Sequence, residues 1–184
     1  NSLKFRKIIS IFLISTTFLL TIKYHLRFND SRKMLNLERI NLENYENSEK
    51  IHPSLKGLKW LTFEYNKDPL VEIELIKDSL EVIEKDKTKK MLLTRYLFFS
   101  SVLNENLNNP SRWPSTQDAS NPDKNNPYFE VYKNFILNLI KSKKIETIYT
   151  SEKDQDDIFK DIFDKNCRKT KVINDFLIKH DIKS

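Results

Sequence analysis

The residues best equipped for chemistry lie together in one stretch, NENLNNPSRWPSTQDASNPDKNN, from Asn104 to Asn126. A run this long without periodicity is uncommon inside a compact domain, and such loops are usually functional or disordered. Trp113, between Arg112 and Pro114, speaks for order, because an aromatic ring in a polar loop tends to pack against something. If the loop lies near the carboxyl ends of the strands, where α/β domains bind ligands, Arg112 can meet an anion. Asp118 or Asp123 can then meet a sugar hydroxyl or a cation. The same residues also fit an ordered structural loop whose Trp113 covers the core, since a loop carries function only when its scaffold aims it.

Other chemistries are poorly supplied. His25, His52 and His180 are far apart and make no HExxH-like spacing, so a metal site is not expected. DQDDIFKDIFD (154–164) has the acidity of a calcium loop but not its glycine or closing Glu. It reads instead as a helix start, with acids favoured by the helix dipole. Cys167 is the only cysteine, which excludes an internal disulfide and a cysteine metal cage. It also has no histidine nearby in sequence to activate it. With Gly57 as the one glycine, the dinucleotide fingerprint and the P-loop are both excluded. No catalytic residue and no cofactor is expected.

The formal charge is +6 over 184 residues. Residues 1–33 hold seven cations (Lys4, Arg6, Lys7, Lys23, Arg27, Arg32, Lys33) and Asp30, which is 7 − 1 = +6. The remainder therefore balances, with 32 − 7 = 25 cations against 26 − 1 = 25 acids. A nucleic-acid binder needs a cationic surplus on its body, so no nucleic-acid partner is expected. The surplus brackets an apolar run instead. Ile8 to Ile22 reads IISIFLISTTFLLTI without a charge. Lys7 and Lys23 can snorkel, and Leu3, Phe5, Tyr24 and Leu26 extend the apolar character, which predicts one transmembrane helix. No small-residue cleavage site follows, as a signal peptide would require. A core helix apolar on all faces and ringed by cations would be unusual. The lipid bilayer is thus an expected partner, with 1–28 as the span, 29–58 as a connector and 59–184 as a soluble domain.

Those residues must be carried by regular elements. HPSLKGL predicts a helical turn closed by Gly57 in a left-handed C-cap, and Lys59–Phe63 a short strand. Asp68-Pro69 starts a helix over 69–86, with Ile73, Ile76, Leu80 and Ile83 inward. Met91–Leu93 predicts a buried strand, and YLFFSSVL a short buried helix. Asn126-Pro127 opens a helix over 127–143, and 145–150 is a strand. Ser151 with Asp154 reads as a capping box before a helix with Ile158, Phe159, Ile162 and Phe163 inward. Lys169–Ile173 is the last strand, and LNLERINL near 35–42 a loose edge-strand candidate. Strands alternating with helices imply a mostly parallel sheet: a small Rossmann-like, three-layer α/β domain preceded by one transmembrane helix.

The segments SLKGLKWLT (54–62), MLLTRYLFFSSVLNENLNNPSRWP (91–114) and YFEVYKNFILNLIKSKKIETIYT (128–150) resemble the C-terminal extramembrane domain of multi-spanning bacterial inner-membrane proteins. These proteins are similar to GT-C-type glycosyltransferases, which use lipid-linked sugar donors. The resemblance implies a fragment of a longer protein, with the apolar helix as the last of several spans and the domain in the periplasm. It also implies a lipid-linked sugar or polysaccharide acceptor as a partner of the whole protein. The catalytic acid of such enzymes lies in an early loop, so no catalytic residue carries over. Two other readings stay open. One is a singly anchored module that binds a ligand or partner. The other is a self-contained enzyme, which would bring Asp118 or Asp123 close to Arg112 and Tyr96.

Overall fold

The computed structural model describes residues 2–31, 43–62, 68–94, 96–111, 122, 124–151, 153–163 and 167–182. Two compact units divide the chain, one holding the N-terminal helix and the other comprising Tyr45–Trp60 and Lys67–Ser184.

Helix α1 runs unbroken from Ser2 to Ser31. Within it, Lys4–Leu26 is long and apolar enough to cross a membrane by length and composition. These 23 residues rise about 34 Å at 1.5 Å each, against a hydrocarbon core of about 30 Å. Every large apolar side chain from Phe5 to Leu26 is exposed, with Ile8 at 65%, Phe12 at 68% and Ile14 at 69%. A core helix buries at least one stripe. This one buries none among the described residues, and its surface points to association with a membrane.

The second unit opens with a two-stranded antiparallel ribbon, β1 (Glu46–Asn47) with β2 (Lys59–Trp60). Between them the chain turns through a 3-10 turn at Pro53–Leu55, and Gly57 takes φ +87°, as its lack of a Cβ permits. Helix α2 (Pro69–Lys85) begins where Asp68 and Pro69 predict, the Asp68 carboxylate accepting from the Leu70 N–H. Its Ile73, Ile76 and Ile83 are fully buried. Strand β3 (Lys90–Leu93) follows, then a single helical turn, α3 (Phe99–Val102). Helix α4 (Phe129–Lys143) follows Asn126, whose side chain accepts from the Tyr128 N–H; its C-cap, Lys144, is left-handed at φ 55°. Strand β4 (Thr147–Ser151), helix α5 (Lys153–Ile162), strand β5 (Arg168–Val172) and strand β6 (Leu177–Ile182) complete the unit.

The main sheet has the order β3-β4-β6-β5. Only β3 and β4 run parallel, with Met91 opposite Ile148. Strand β6 is antiparallel to both its neighbours, pairing His180 with Ile148 on one side and with Thr170 on the other. The expected mostly parallel, Rossmann-like sheet is therefore corrected to a small mixed sheet, mostly antiparallel, beside the separate ribbon. The cause is β6. It was not expected from the sequence, and it returns by a tight turn rather than by the helical crossover that a parallel neighbour requires. In that turn the Asn174 side chain accepts from the backbone N–H groups of Phe176 and Leu177. Strand β1 was not expected either, since it falls in the stretch read as a connector; the remaining strands and helices lie close to their expected bounds, β2 being shorter. The edge-strand candidate at 35–42 lies outside the described residues.

Alternation along the strands aims the core. Met91, Leu93 and Ile148 pack with Phe129 and Ile136 of α4, with Phe159 and Ile162 of α5, and with Phe163. Tyr149, one residue on from Ile148, turns to the opposite face and reaches Asp86 at the end of α2. A second apolar cluster is aromatic: Tyr96, Phe99 and Phe176 are buried, with Tyr96 and Phe176 edge to face at 4.9 Å. The ribbon is fastened to it by Glu72, which is 2% exposed and accepts from Trp60 Nε1 at 2.9 Å and from the Tyr96 phenol at 2.5 Å. Edge strand β5 carries exposed Lys169 and Lys171, charges that discourage pairing with another chain.

Candidate functional site

Arg112, Trp113, Asp118 and Asp123, the four ligand-binding candidates, lie outside the described residues, as do the side chains of the capping-box partner Asp154 and of Ile158. The first part of their loop is described, and it is an ordered strap along the free edge of β3. The Leu92 N–H donates to the Leu107 carbonyl at 2.9 Å, and the Asn108 side chain donates to the Lys90 carbonyl at 2.8 Å. Asn104 and Asn108 take φ 48° and 49°, which asparagine tolerates better than most residues. Leu107 is fully buried. Tyr96, the other residue named for a self-contained active site, binds Glu72 inside the aromatic cluster.

The structure instead assembles two polar networks that the sequence does not announce. The first centres on Asp86, just beyond α2. Its carboxylate accepts from the Tyr149 phenol at 2.6 Å, from the Thr88 hydroxyl at 2.8 Å and from Lys179 Nζ at 2.9 Å. Burial works to raise the carboxyl, but these hydrogen bonds outweigh it and hold Asp86 well below the usual carboxylate range. Burial and the bond to Asp86 push the Tyr149 phenol far up, so it stays protonated. Burial works to lower Lys179, and its contacts with Asp86 and Asp181 raise it above an ordinary lysine. Fixed protonation makes this a structural clamp joining α2, β4 and β6. It is not a proton-transfer pair, which would need a group poised near neutral pH.

The second network surrounds His180, which is fully buried on β6. Nε2 lies 3.1 Å from Asp156 Oδ1 and 3.1 Å from the Thr150 hydroxyl, while Nδ1 lies 3.0 Å from the Thr170 hydroxyl. Phe159 stacks on the ring at a centroid distance of 4.0 Å, and the Arg168 guanidinium sits over the other ring of that stack, 4.8 Å from the Phe159 centroid. Burial disfavours the imidazolium most. Arg168 and Lys160 add to that effect against the pull of Asp156, and the imidazole titrates at about 4. Both ring nitrogens are engaged and water is excluded, so His180 cannot serve as a base toward a ligand. Among the described residues no cluster of three or more His, Cys, Asp or Glu side chains could hold a metal ion. Cys167 is an exposed free thiol.

Among the described residues, a cleft of about 740 Å³ lies between the C-terminal half of α4 and the neighbouring ends of β4 and β6. Leu137, Ile140, Ile145 and Ile182 form its apolar lining. Lys141, Lys144, Glu146, Asp181, Thr88 and Thr147 supply the polar lining. The Thr88 and Thr147 hydroxyls are bonded to each other at 2.9 Å, and Thr147 also approaches Asp181 at 3.4 Å, which joins this wall to the Asp86 clamp. The size suits a small-molecule or short-segment site. It opens at the amino ends of the parallel pair β3 and β4, away from the carboxyl ends where ligand binding was expected.

No family model matches the chain, and no curated protein or solved structure matches it.

Proposed function

We propose that the chain is a membrane-anchored, non-catalytic domain that serves a larger membrane assembly. The observation that carries this is α1: thirty residues of unbroken helix with every large apolar side chain from Phe5 to Leu26 turned outward. Such a surface is stable in hydrocarbon and costly in water. The two networks fit this reading, since their ionisable groups pair with one another. The resemblance of 54–62, 91–114 and 128–150 supports the finer reading: an accessory domain, on the periplasmic side, of a bacterial inner-membrane protein similar to lipid-linked-sugar glycosyltransferases.

Membrane fractionation tests the anchor. The full chain is expected in the pellet after alkaline carbonate washing, and to be released by detergent alone. A chain that stays monomeric in buffer without detergent would overturn the proposal. The accessory role has its own test, in the coding sequence upstream of Asn1. It should continue in frame through further apolar spans. An initiation codon immediately before Asn1 would leave the second reading, a singly anchored binding module, which the cleft between α4 and β6 favours.

A further inference from the structure

The cleft beside the end of α4 carries charged groups that the fold itself does not use. Lys141 and Lys144 come from the last turn of the helix and its C-cap, Glu146 from the residue before β4, and Asp181 from β6. Their charges cancel, two against two. Yet among the described residues no ion pair joins either lysine to either acid, and Lys141, Lys144 and Glu146 have no side-chain partner. Asp181 has the 3.4 Å contacts with Lys179 and Thr147, and its side chain is half-exposed.

The strand side of the cleft is built of acceptors. Thr88 and Thr147 have one hydroxyl proton each. Asp86, the neighbouring hydroxyl and Asp181 stand at 2.8, 2.9 and 3.4 Å to take them. Both protons are therefore spent inside the protein, and a ligand meets only carboxylate and hydroxyl oxygens there. The apolar part, Leu137, Ile140, Ile145 and Ile182, is wholly aliphatic and rewards burial alone. These features select among ligands. A lone cation would meet the two lysines, and a lone anion the two acids, each with a cost in repulsion. A molecule with one group of each sign satisfies both, its ammonium donating to Asp181 and Glu146 and its carboxylate accepting from Lys141 and Lys144. Its body must be apolar to lie on the aliphatic side chains. A volume of about 740 Å³ is that of a site for a drug-sized ligand, more than one amino acid fills, so the two charges fit the two ends of a short chain. We infer that the cleft binds a short apolar peptide, of about two or three residues, by both of its free termini. The inference uses only the second compact unit, so it holds for an accessory domain and for a singly anchored module alike.

The test titrates the isotope-labelled full chain, in lipid nanodiscs, with trileucine, and empty nanodiscs measure the uptake of peptide by lipid. A chain that needs no lipid is titrated in buffer, so the anchor and the cleft are judged apart. Trileucine should shift the backbone amides of Thr147, Asp181 and Ile182 saturably, while that of Val172, at the other end of the β5–β6 ladder, stays in place. N-acetylation or C-amidation of the peptide should each weaken binding about tenfold, the value of one charged hydrogen bond, and triserine should not bind. Asp181→Asn should weaken trileucine by a similar factor and leave the affinity for the N-acetylated peptide as it was, which a variant that merely unfolds does not do. Capped peptides that bind as tightly as the free one, or shifts spread evenly over the domain, overturn the inference. So does an alkylamine or a fatty acid that matches trileucine, since the cleft would then belong to a singly charged ligand.

Discussion

His180 is held neutral by its surroundings, and that gives the domain a definite acid response. The unfolded imidazole titrates at about 6.5 and the folded one at about 4. Between those values the unfolded chain carries a proton that the folded chain refuses, so stability falls as pH is lowered through the window and is fully present above it. Asp86 acts in the same direction further down. Its carboxyl is depressed, so its contribution is present above about 3.8 and is lost as pH falls below. Urea midpoints measured between pH 7 and pH 4 should decline steadily, and a flat profile would contradict the burial of His180. Replacing the ring, as in His180→Ala, should cost about 3 kcal/mol by removing a packed side chain and its hydrogen bonds together. Tyr149→Phe is milder, at about 1–2 kcal/mol. Its more telling signature is an upward move of the Asp86 carboxyl toward its ordinary value, readable by NMR titration.

At the scale of elements, the sequence spoke clearly wherever a local rule was sufficient. Asp68-Pro69 placed the start of α2 because the cap and the proline act within one turn. Met91–Leu93 and the run before Ser151 were visible as strands because both are buried almost throughout. Strand β6 was hidden for the opposite reason: LIKHDI is half polar, and its His180 and Lys179 become tolerable only through partners on other elements. Its one local signal was Asn174-Asp175 between two short strand-like runs, the composition of a hairpin turn. Asn174 also donates to the Leu75 carbonyl and lies 3.3 Å from the Ser79 hydroxyl. Asn174→Ala should therefore destabilise the hairpin and its seat on α2 together, by about 1–3 kcal/mol in equilibrium unfolding. In α1 the rule is lipid solubility. Phe12→Arg places a charge near the middle of the span at a cost of about 2.5–3.5 kcal/mol, and the carbonate-resistant fraction of the chain should drop accordingly.

For the molecule as a whole, the apolar N-terminal helix was legible from composition, because the entire +6 lies in residues 1–33 around it, whereas the ribbon strand at Glu46–Asn47 falls in the stretch read as a connector. The candidate site was not legible. The partners that define the two networks are far apart in sequence, 63 positions between Asp86 and Tyr149 and 30 between Thr150 and His180, and no motif links residues at such distances. The cleft has the same origin, since its walls come from α4, β4 and β6. Hydrogen exchange should find the slowest amides in β4 and β6, which are paired on both sides, and faster exchange in the edge strand β5. Equal protection across all four strands would argue against this order.

The position of β6 also has a consequence for biosynthesis. Strand β6 follows β3, β4 and β5 in the chain yet lies in the interior of their sheet, and β4 and β5 have no pairing with each other without it. While a ribosome is still adding residues 177–182, the nascent domain holds one parallel pair and a stranded edge, with the pocket for His180 unfilled. Closure of the sheet must therefore await residues 177–182, and a product terminated before them would offer its unfinished hydrophobic surface to cellular proteases.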